Sequence, residues 1–496
     1  MDTTNTRRGG VLMHITSLPG PEHVGTLGKS AYRFVDFLHS AGMRVWQVLP
    51  VGPTGYGESP YQSACALAGN PNMIDLEMLH EEGYLPSYAP ETVTPSRQVD
   101  FPALFAEKEK WLRAAFAHNR ERLEKEGAYD VWCAKWPWLH DYALFMAIKG
   151  KFNRCSWMEW PDQDIRLRKS EAMEKYENEL KEDVQYFMFL QFLFREQWMR
   201  LRAYANDHGV SMLGDMPIYV AEDSSDVWAN AEYFQLDRSR RPIKVAGVPP
   251  DYFSEDGQLW GNPLYRWGKL RDNDYGFWME RLRAMGQLFD SVRIDHFIGF
   301  ANYYSVKAGA PNAREGKWII GPGKAFFKRV REVVPEVNVV AEDLGAVNER
   351  VVSLLKFCGY PGMKVMQFGF DGGEENPHNL NNFVENCVAY TGTHDNDTTL
   401  GWWHAADENL KAAARKVLGD VDDDTVVDAM IKTVFMSPAN TAVAPIQDFL
   451  GLDSCDRMNT PGTLGGSNWC FRVLEADLTE ALSARMRALN EAAGRA

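Results

Sequence analysis

Four short stretches place ionisable residues inside or just after apolar runs. "VSMLGDMPIYV" from Val210 carries Asp215, and "FDSVRIDHFIGF" from Phe289 carries Arg293, Asp295 and His296. "VNVVAEDLG" from Val337 carries Glu342 and Asp343, and "CVAYTGTHDNDT" from Cys387 carries His394, Asp395 and Asp397. Apolar runs of this length read as buried strands. A charge at such a place is costly unless it is paired. Any one of these residues could be a turn or cap. Four strands ending alike point to one layer of functional groups.

Alternation assigns their directions. Arg293 and Asp295 are two residues apart and share a strand face, while Val292 and Ile294 point the other way. Arg293 beside Asp295 would hold the carboxylate ionised, as a nucleophile or electrostatic stabiliser requires. A structural Arg–Asp pair remains the rival reading. Glu342 follows "VNVVA", and burial there would raise its pKa toward that of a general acid. Asp343 faces the other side, where it could cap the following helix. One carboxyl kept charged and one kept protonated is the pattern of glycoside cleavage. A separation of about 5–5.5 Å would mean retention through a covalent glycosyl-enzyme. Asp395, His394 and His296 could hold substrate hydroxyls. A metal site is the rival use of this set, but no HExxH spacing occurs. GxSxG is absent, so a serine hydrolase has no support, and no GxGxxG opens a helix for a dinucleotide.

The elements that must position these groups repeat along the chain. Besides the four runs above, "GVLMHITSLPG" from Gly10, "MRVWQVLPVGP" from Met43, "MKVMQFGFDG" from Met363 and "NTAVAPIQDFLG" from Asn440 read as buried parallel strands. Helical patterns lie between them. In "GAVNERVVSLLKFCGYPG", Asn348 serves as N-cap, Val351, Val352, Leu354 and Leu355 form an apolar face, and Gly359 and Pro361 supply the stop. "GKAFFKRVREVVP" precedes the fifth run, and "ADLTEALSARMRALNEAA" closes the chain. Eight strands with intervening helices predict an α/β fold, a (β/α)8 barrel over residues 1–496. A doubly wound open sheet is the alternative. Chemistry in a barrel sits at the C-terminal strand ends, where the polar residues collect. Residues 54–205 read mostly as an inserted helical subdomain between the second and third strands, with helices near Phe105–Leu123, His140–Lys149 and Tyr186–Asn206. Residues 220–275 read as a second insertion, a lid containing the long irregular, aromatic stretch "VAGVPPDYFSEDGQLWGNPLYRW".

Composition narrows the partners. The chain has 496 residues, 45% hydrophobic and 24% charged, with net charge -15. That balance argues against nucleic acid or an anionic membrane and for a neutral or cationic substrate. The seven cysteines are scattered without a CxxC, as in a reducing compartment. No signal-like segment opens the sequence and no long apolar run occurs, so a cytoplasmic location is expected. The sixteen tryptophans and nineteen tyrosines suit core packing, and some suit sugar platforms.

"SVRIDHF", "VVAEDLG" and "TGTHDNDT", in this order, resemble the α-amylase clan. More closely, "RRGGVLMHITSLPGPEHVGTLG", "GYGESPYQSACALAGNP", "GVPPDYFSEDGQLWGNPLYRW" and "MNTPGTLGGSNW" resemble the 4-α-glucanotransferases (amylomaltase, or disproportionating enzyme) over nearly the whole chain. The resemblance implies a barrel with inserted subdomains and no separate C-terminal β-domain. It implies transfer of an α-1,4-glucan segment to the 4-hydroxyl of glucose or another glucan, with no cofactor and no metal. Asp295 would be the nucleophile, Glu342 the general acid/base and Asp395 the transition-state stabiliser. Arg293, His296 and His394 would line the donor-sugar subsite, and Asp215 would complete its floor. Tyr61 would stack on the sugar at the cleavage point. Trp260 would belong to the lid, Asp251 and Asn468 would contact the glucan, and Tyr56 would belong to a remote glucan site. An α-glucan hydrolase using the same carboxylates is the alternative function.

Overall fold

Each of the eight apolar runs forms a strand. The structure is a computed structural model that describes residues 7–55, 57–90, 93–125, 127–250 and 255–496. In chain order the strands among these residues are β1 (Arg8–Leu12), β2 (Val45–Gln47), β3 (Ser211–Pro217), β4 (Lys244–Val248), β5 (Gln258–Pro263) and β6 (Ser291–Asp295). They continue as β7 (Asn302–Lys307), β8 (Gly316–Ile320), β9 (Val339–Ala341), β10 (Gly362–Val365), β11 (Cys387–Tyr390) and β12 (Thr441–Pro445). The runs expected as buried strands are β1, β2, β3, β6, β9, β10, β11 and β12. They make one parallel sheet in the order β10-β11-β12-β1-β2-β3-β6-β9.

The two ends of that sheet meet. The Ala341 N–H at the end of β9 donates to the Pro361 carbonyl just before β10 at 2.9 Å. The Asp343 carboxylate accepts the Met363 N–H across the same seam at 2.7 Å. Asp343 is therefore a seam residue, and Asn348 rather than Asp343 caps the next helix. The approach is so close that a Cβ on Gly362 would stand 2.5 Å from Asp343 Oδ2, and any side chain there would have to displace that carboxylate. These contacts close the sheet into the expected (β/α)8 barrel.

Strand β6 shows how the barrel tolerates charge. Val292 and Ile294 are fully buried on the helix side, while Arg293 points inward and is matched by acidic neighbours. Outside the barrel, helix Glu349–Cys358 follows the expected signals, since Asn348 accepts from the Arg350 and Val351 amides and Gly359 ends it at φ 68°. Its buried stripe differs from the expectation. Val351, Leu354 and Cys358 are buried but Val352 is 39% exposed. Adjacent residues on a helix lie about 100° apart, so Val351 and Val352 cannot share a narrow stripe.

Between β2 and β3 the chain forms the long helices Phe101–Lys125, Pro137–Lys151 and Lys181–Asp207, each reaching beyond its expected span. The last is anchored to the barrel, where its Trp198 Nε1 donates to the Leu288 carbonyl at 2.9 Å. The same helix grips the loop after β2, with Gln191 and Gln197 each pairing both backbone groups of one residue, Gly69 and Asp75. The stretch expected to be irregular after β3 contains β4 and β5 instead. They join β7 and β8 in an antiparallel sheet ordered β5-β4-β7-β8. None of the described helices is long and apolar enough to cross a membrane.

Candidate active site

The inward charges gather on β3 and β6. Asp215 and Arg293 are register partners across these strands. Arg293 donates through one arm to Asp215 Oδ2 at 2.5 Å and through the other to Asp295 Oδ1 at 2.8 Å. Its Nε lies 3.4 Å from Met363 Sδ. The guanidinium is buried, and a fork of this shape fixes two carboxylates at once. Tyr61 joins from the loop after β2, donating its hydroxyl to Asp215 Oδ2 at 2.8 Å. Burial and the nearby Asp215 push the Tyr61 phenol well above its usual pKa, so it stays a donor. Burial also raises the Asp215 carboxyl, and Arg293 opposes that rise.

Glu342 stands at the end of β9. Burial, then the charge of Asp295, push its pKa up to about 8. Two backbone amides hold it in place, His296 N–H at 2.6 Å and Leu344 N–H at 2.8 Å. The first depends on an unusual backbone. His296 sits in the left-handed region at φ 52°, which is costly for a residue with a side chain. Here that conformation serves a hydrogen bond to the carboxyl, the kind of strain found at functional sites. Burial lowers the His296 imidazole to about 4, so it is neutral. The ring of Trp260, on β5, meets it edge-on at 4.8 Å between centroids. Thus the antiparallel sheet reaches the barrel mouth.

Asp395 follows β11. Its Oδ1 accepts from Asn459 Nδ2 at 2.6 Å, and its carbonyl accepts from Arg457 Nη2 at 2.5 Å. His394 Nε2 lies 3.4 Å from Asp395 Oδ2. The His394 ring stacks on Tyr61 at 5.1 Å and 15°. Trp469 packs against both rings, with centroids 5.9 Å from Tyr61 and 6.1 Å from His394.

The structure therefore brings Tyr61, Asp215, Arg293, Asp295, His394 and Asp395 into one chain of contacts. Glu342, His296 and Trp260 join through backbone and ring contacts. Asn468 instead holds its own loop, where its Oδ1 accepts the Thr460 N–H at 2.9 Å and its Nδ2 donates to Thr463 Oγ1 at 2.9 Å. Asp397 likewise accepts from the Thr398 amide and the Ser454 hydroxyl at 2.8 Å each. Asp251 and Tyr56 lie outside the described residues. Asn459, Arg457 and Trp469 were not among the expected site residues. Asn459 and Trp469 belong to "MNTPGTLGGSNW", which carried the signal. His14 was also missed. It follows β1 at the same barrel end, and burial, then the neighbouring His394, lower its pKa to about 3. Among the described residues, no group of three or more His, Cys, Asp or Glu is arranged to hold a metal ion.

Chemically, the arrangement offers a buried carboxyl, Glu342, whose pKa is pushed up to about 8, and near enough to contribute to that rise the Asp295 carboxylate gripped by arginine. Such a pair has the residue types that an acid and a nucleophile require.

The chain is similar to known proteins over nearly its whole length. A curated 4-alpha-glucanotransferase of Thermus thermophilus is 47% identical over 500 residues, covering 99% of each chain. One of Clostridium butyricum is 44% identical over 488 residues, covering 97% of this chain and all of the relative. The solved amylomaltase from Streptococcus agalactiae, in complex with acarbose, superposes with a TM-score of 0.96 at 37% identity over 99% of this chain and 100% of that one. The family model described as 4-alpha-glucanotransferase matches residues 13–478, and the chain belongs to that family.

Proposed function

We propose that this member of the 4-alpha-glucanotransferase family moves a segment of an α-1,4-glucan by double displacement with retention. Asp295 attacks the anomeric carbon and forms a glycosyl ester. Glu342 protonates the departing glycosidic oxygen, then takes the proton from the incoming 4-hydroxyl of glucose or another glucan. Asp395 stabilises the positive charge that develops at the sugar ring. Arg293, His296, His394 and Asp215 hold the donor sugar, and Tyr61 stacks on it. The single observation that carries this reading is the contrast between Glu342, raised to about 8, and Asp295, ion-paired to Arg293 at 2.8 Å.

The segments at 54–205 and 220–275 act as subdomains around the barrel mouth, the second as a lid bearing Trp260 and Asp251. Asp251 and Asn468 contact the glucan, and Tyr56 belongs to a remote glucan site. A lid matters because the glycosyl-enzyme must meet a sugar before it meets water. The chemistry uses no cofactor, and the substrate is neutral, in keeping with the net charge of -15.

Incubation with pure maltotriose tests the reading. Transfer yields glucose and longer oligomers while the total of reducing ends stays constant. A steady rise in reducing ends would instead identify hydrolysis by the same carboxylates.

A further inference from the structure

Arg281 is a buried cation that the chemistry above does not use. It lies on helix Gly276–Leu288, outside the barrel, and is 1% exposed. Burying a guanidinium is expensive, and an apolar residue would pack there at lower cost. Its hydrogen bonds go to carbonyls and a phenol. Nη2 donates to the Pro217 carbonyl at 2.6 Å, and Nη1 donates to the Ile218 carbonyl at 3.0 Å and to the Tyr265 hydroxyl at 2.9 Å. Tyr265 in turn donates to the same Ile218 carbonyl at 2.8 Å. The Trp278 ring covers the guanidinium at 4.3 Å.

These contacts grip one place, the C-terminal end of β3. Pro217 is two residues beyond Asp215 and is the register partner of Asp295. The grip continues through space. Asp215 Oδ1 and Arg281 Nε are both buried without a hydrogen-bond partner among the described residues. Both residues line one small cavity of about 40 Å³, together with Tyr61, Pro217 and Phe289. Buried polar atoms without a protein partner, on residues that line a cavity large enough for water, are where ordered water binds.

We propose that Arg281 is a positioning residue for Asp215, acting through the backbone of Pro217 and Ile218 and through water held in the cavity between the two side chains. Arg293 fixes Asp215 Oδ2 from inside the barrel, and Arg281 fixes the strand end and Oδ1 from outside. The inference rests on Asp215 belonging to the donor-sugar floor.

The test has two parts. In a high-resolution crystal structure of the unaltered protein, ordered water connects Asp215 Oδ1 to Arg281 Nε; a dry cavity overturns the proposal. In maltotriose disproportionation, assayed below the melting temperature of each variant, Arg281→Gln lowers kcat about tenfold with KM within about twofold, because a small misplacement of a positioned group is expensive. Arg281→Lys, which keeps donors for the two carbonyls, recovers most of that loss. Wild-type kcat in Arg281→Gln, or no recovery in Arg281→Lys, overturns it. If Arg281→Gln does not fold, the Lys variant decides: near-normal kcat together with the bridging water supports the proposal. Asp215→Asn separates the two readings. Full activity in that variant removes Asp215 from the floor, whereas an impaired Asp215→Asn beside an unimpaired Arg281→Gln refutes only the role of Arg281.

Discussion

Arg293 holds Asp215 and Asp295 in one fork, at 2.5 and 2.8 Å, with Asp215 buried and Asp295 partly open to the barrel mouth. One cation thus sets the position of both carboxylates. Lysine carries the same charge but only a point donor. We expect Arg293→Lys to lose about 10²-fold in kcat/KM for maltotriose transfer, because a misplacement near 1 Å is that costly. Arg293→Met leaves Asp215 buried without its counter-charge and should lower stability by about 3–5 kcal/mol in urea unfolding. A Lys variant with unchanged kcat/KM would show that charge alone, not the fork, matters.

Asp295→Asn keeps the shape of the side chain and removes the nucleophile. Turnover should fall by about 10⁴-fold or more, as for other reacting groups that act as a unit. Glucan affinity, measured by calorimetry, should stay within a few-fold of wild type. Near-normal turnover would falsify the assignment of Asp295.

Glu342 predicts a pH dependence of known sign. Its carboxyl rises from an ordinary 4.5 to about 8 through burial and the charge of Asp295. As general acid it must be protonated, so kcat/KM should fall with an alkaline limb near pH 8. A folded-state pKa above the unfolded one means that the folded protein binds the proton more tightly. The stability this gives is whole below about pH 4.5 and is lost as pH rises through about 8. Glu342→Gln should therefore gain melting temperature relative to wild type as pH is raised across that window. An alkaline limb two units higher, with parallel melting curves, would contradict the assignment.

Much of this was legible in the sequence, for a physical reason. Parallel barrel strands are buried on both faces and read as apolar runs, so a charge within one stands out. The alternation in "SVRID" even gave the facing of Arg293 and Asp295. The antiparallel sheet was not legible. β8 is exposed at four of its five residues and β4 and β5 pair with a register shift, so neither carries a clean period. The loop after Met458 hid the distinction between Asn459 and Asn468. Its backbone turns through positive φ at Gly462, Gly465, Gly466 and Trp469, and no periodicity survives such a path. The motif was visible there, but the side that each asparagine presents was not.

Asn459 holds Asp395 Oδ1 at 2.6 Å, the shortest side-chain hydrogen bond to that carboxylate. Asp395 is nearly half exposed and needs such a partner to keep one orientation. Asn459→Ala should lower kcat on the order of ten- to hundredfold with little change in melting temperature. Asn459→Asp, which sets a second carboxylate beside Asp395, should be worse than Ala. Equal activity in all three proteins would remove Asn459 from the site.

Asp343 links stability to the site. Its carboxylate accepts the Met363 N–H at the barrel seam, and Met363 Sδ lies 3.4 Å from Arg293 Nε. A buried backbone N–H left without its acceptor costs about 1–3 kcal/mol. Asp343→Ala should lose about that much in urea unfolding, whereas Asp343→Asn, which keeps an acceptor oxygen, should lose less. The seam also locates the neighbour of Arg293, so Asp343→Ala should reduce kcat more than Asp343→Asn at temperatures where both are folded. A loss of stability with wild-type kcat in both variants would confine Asp343 to closing the barrel. A graded loss of kcat would show that the register between β9 and β10 is transmitted through Met363 to the guanidinium that holds Asp215 and Asp295.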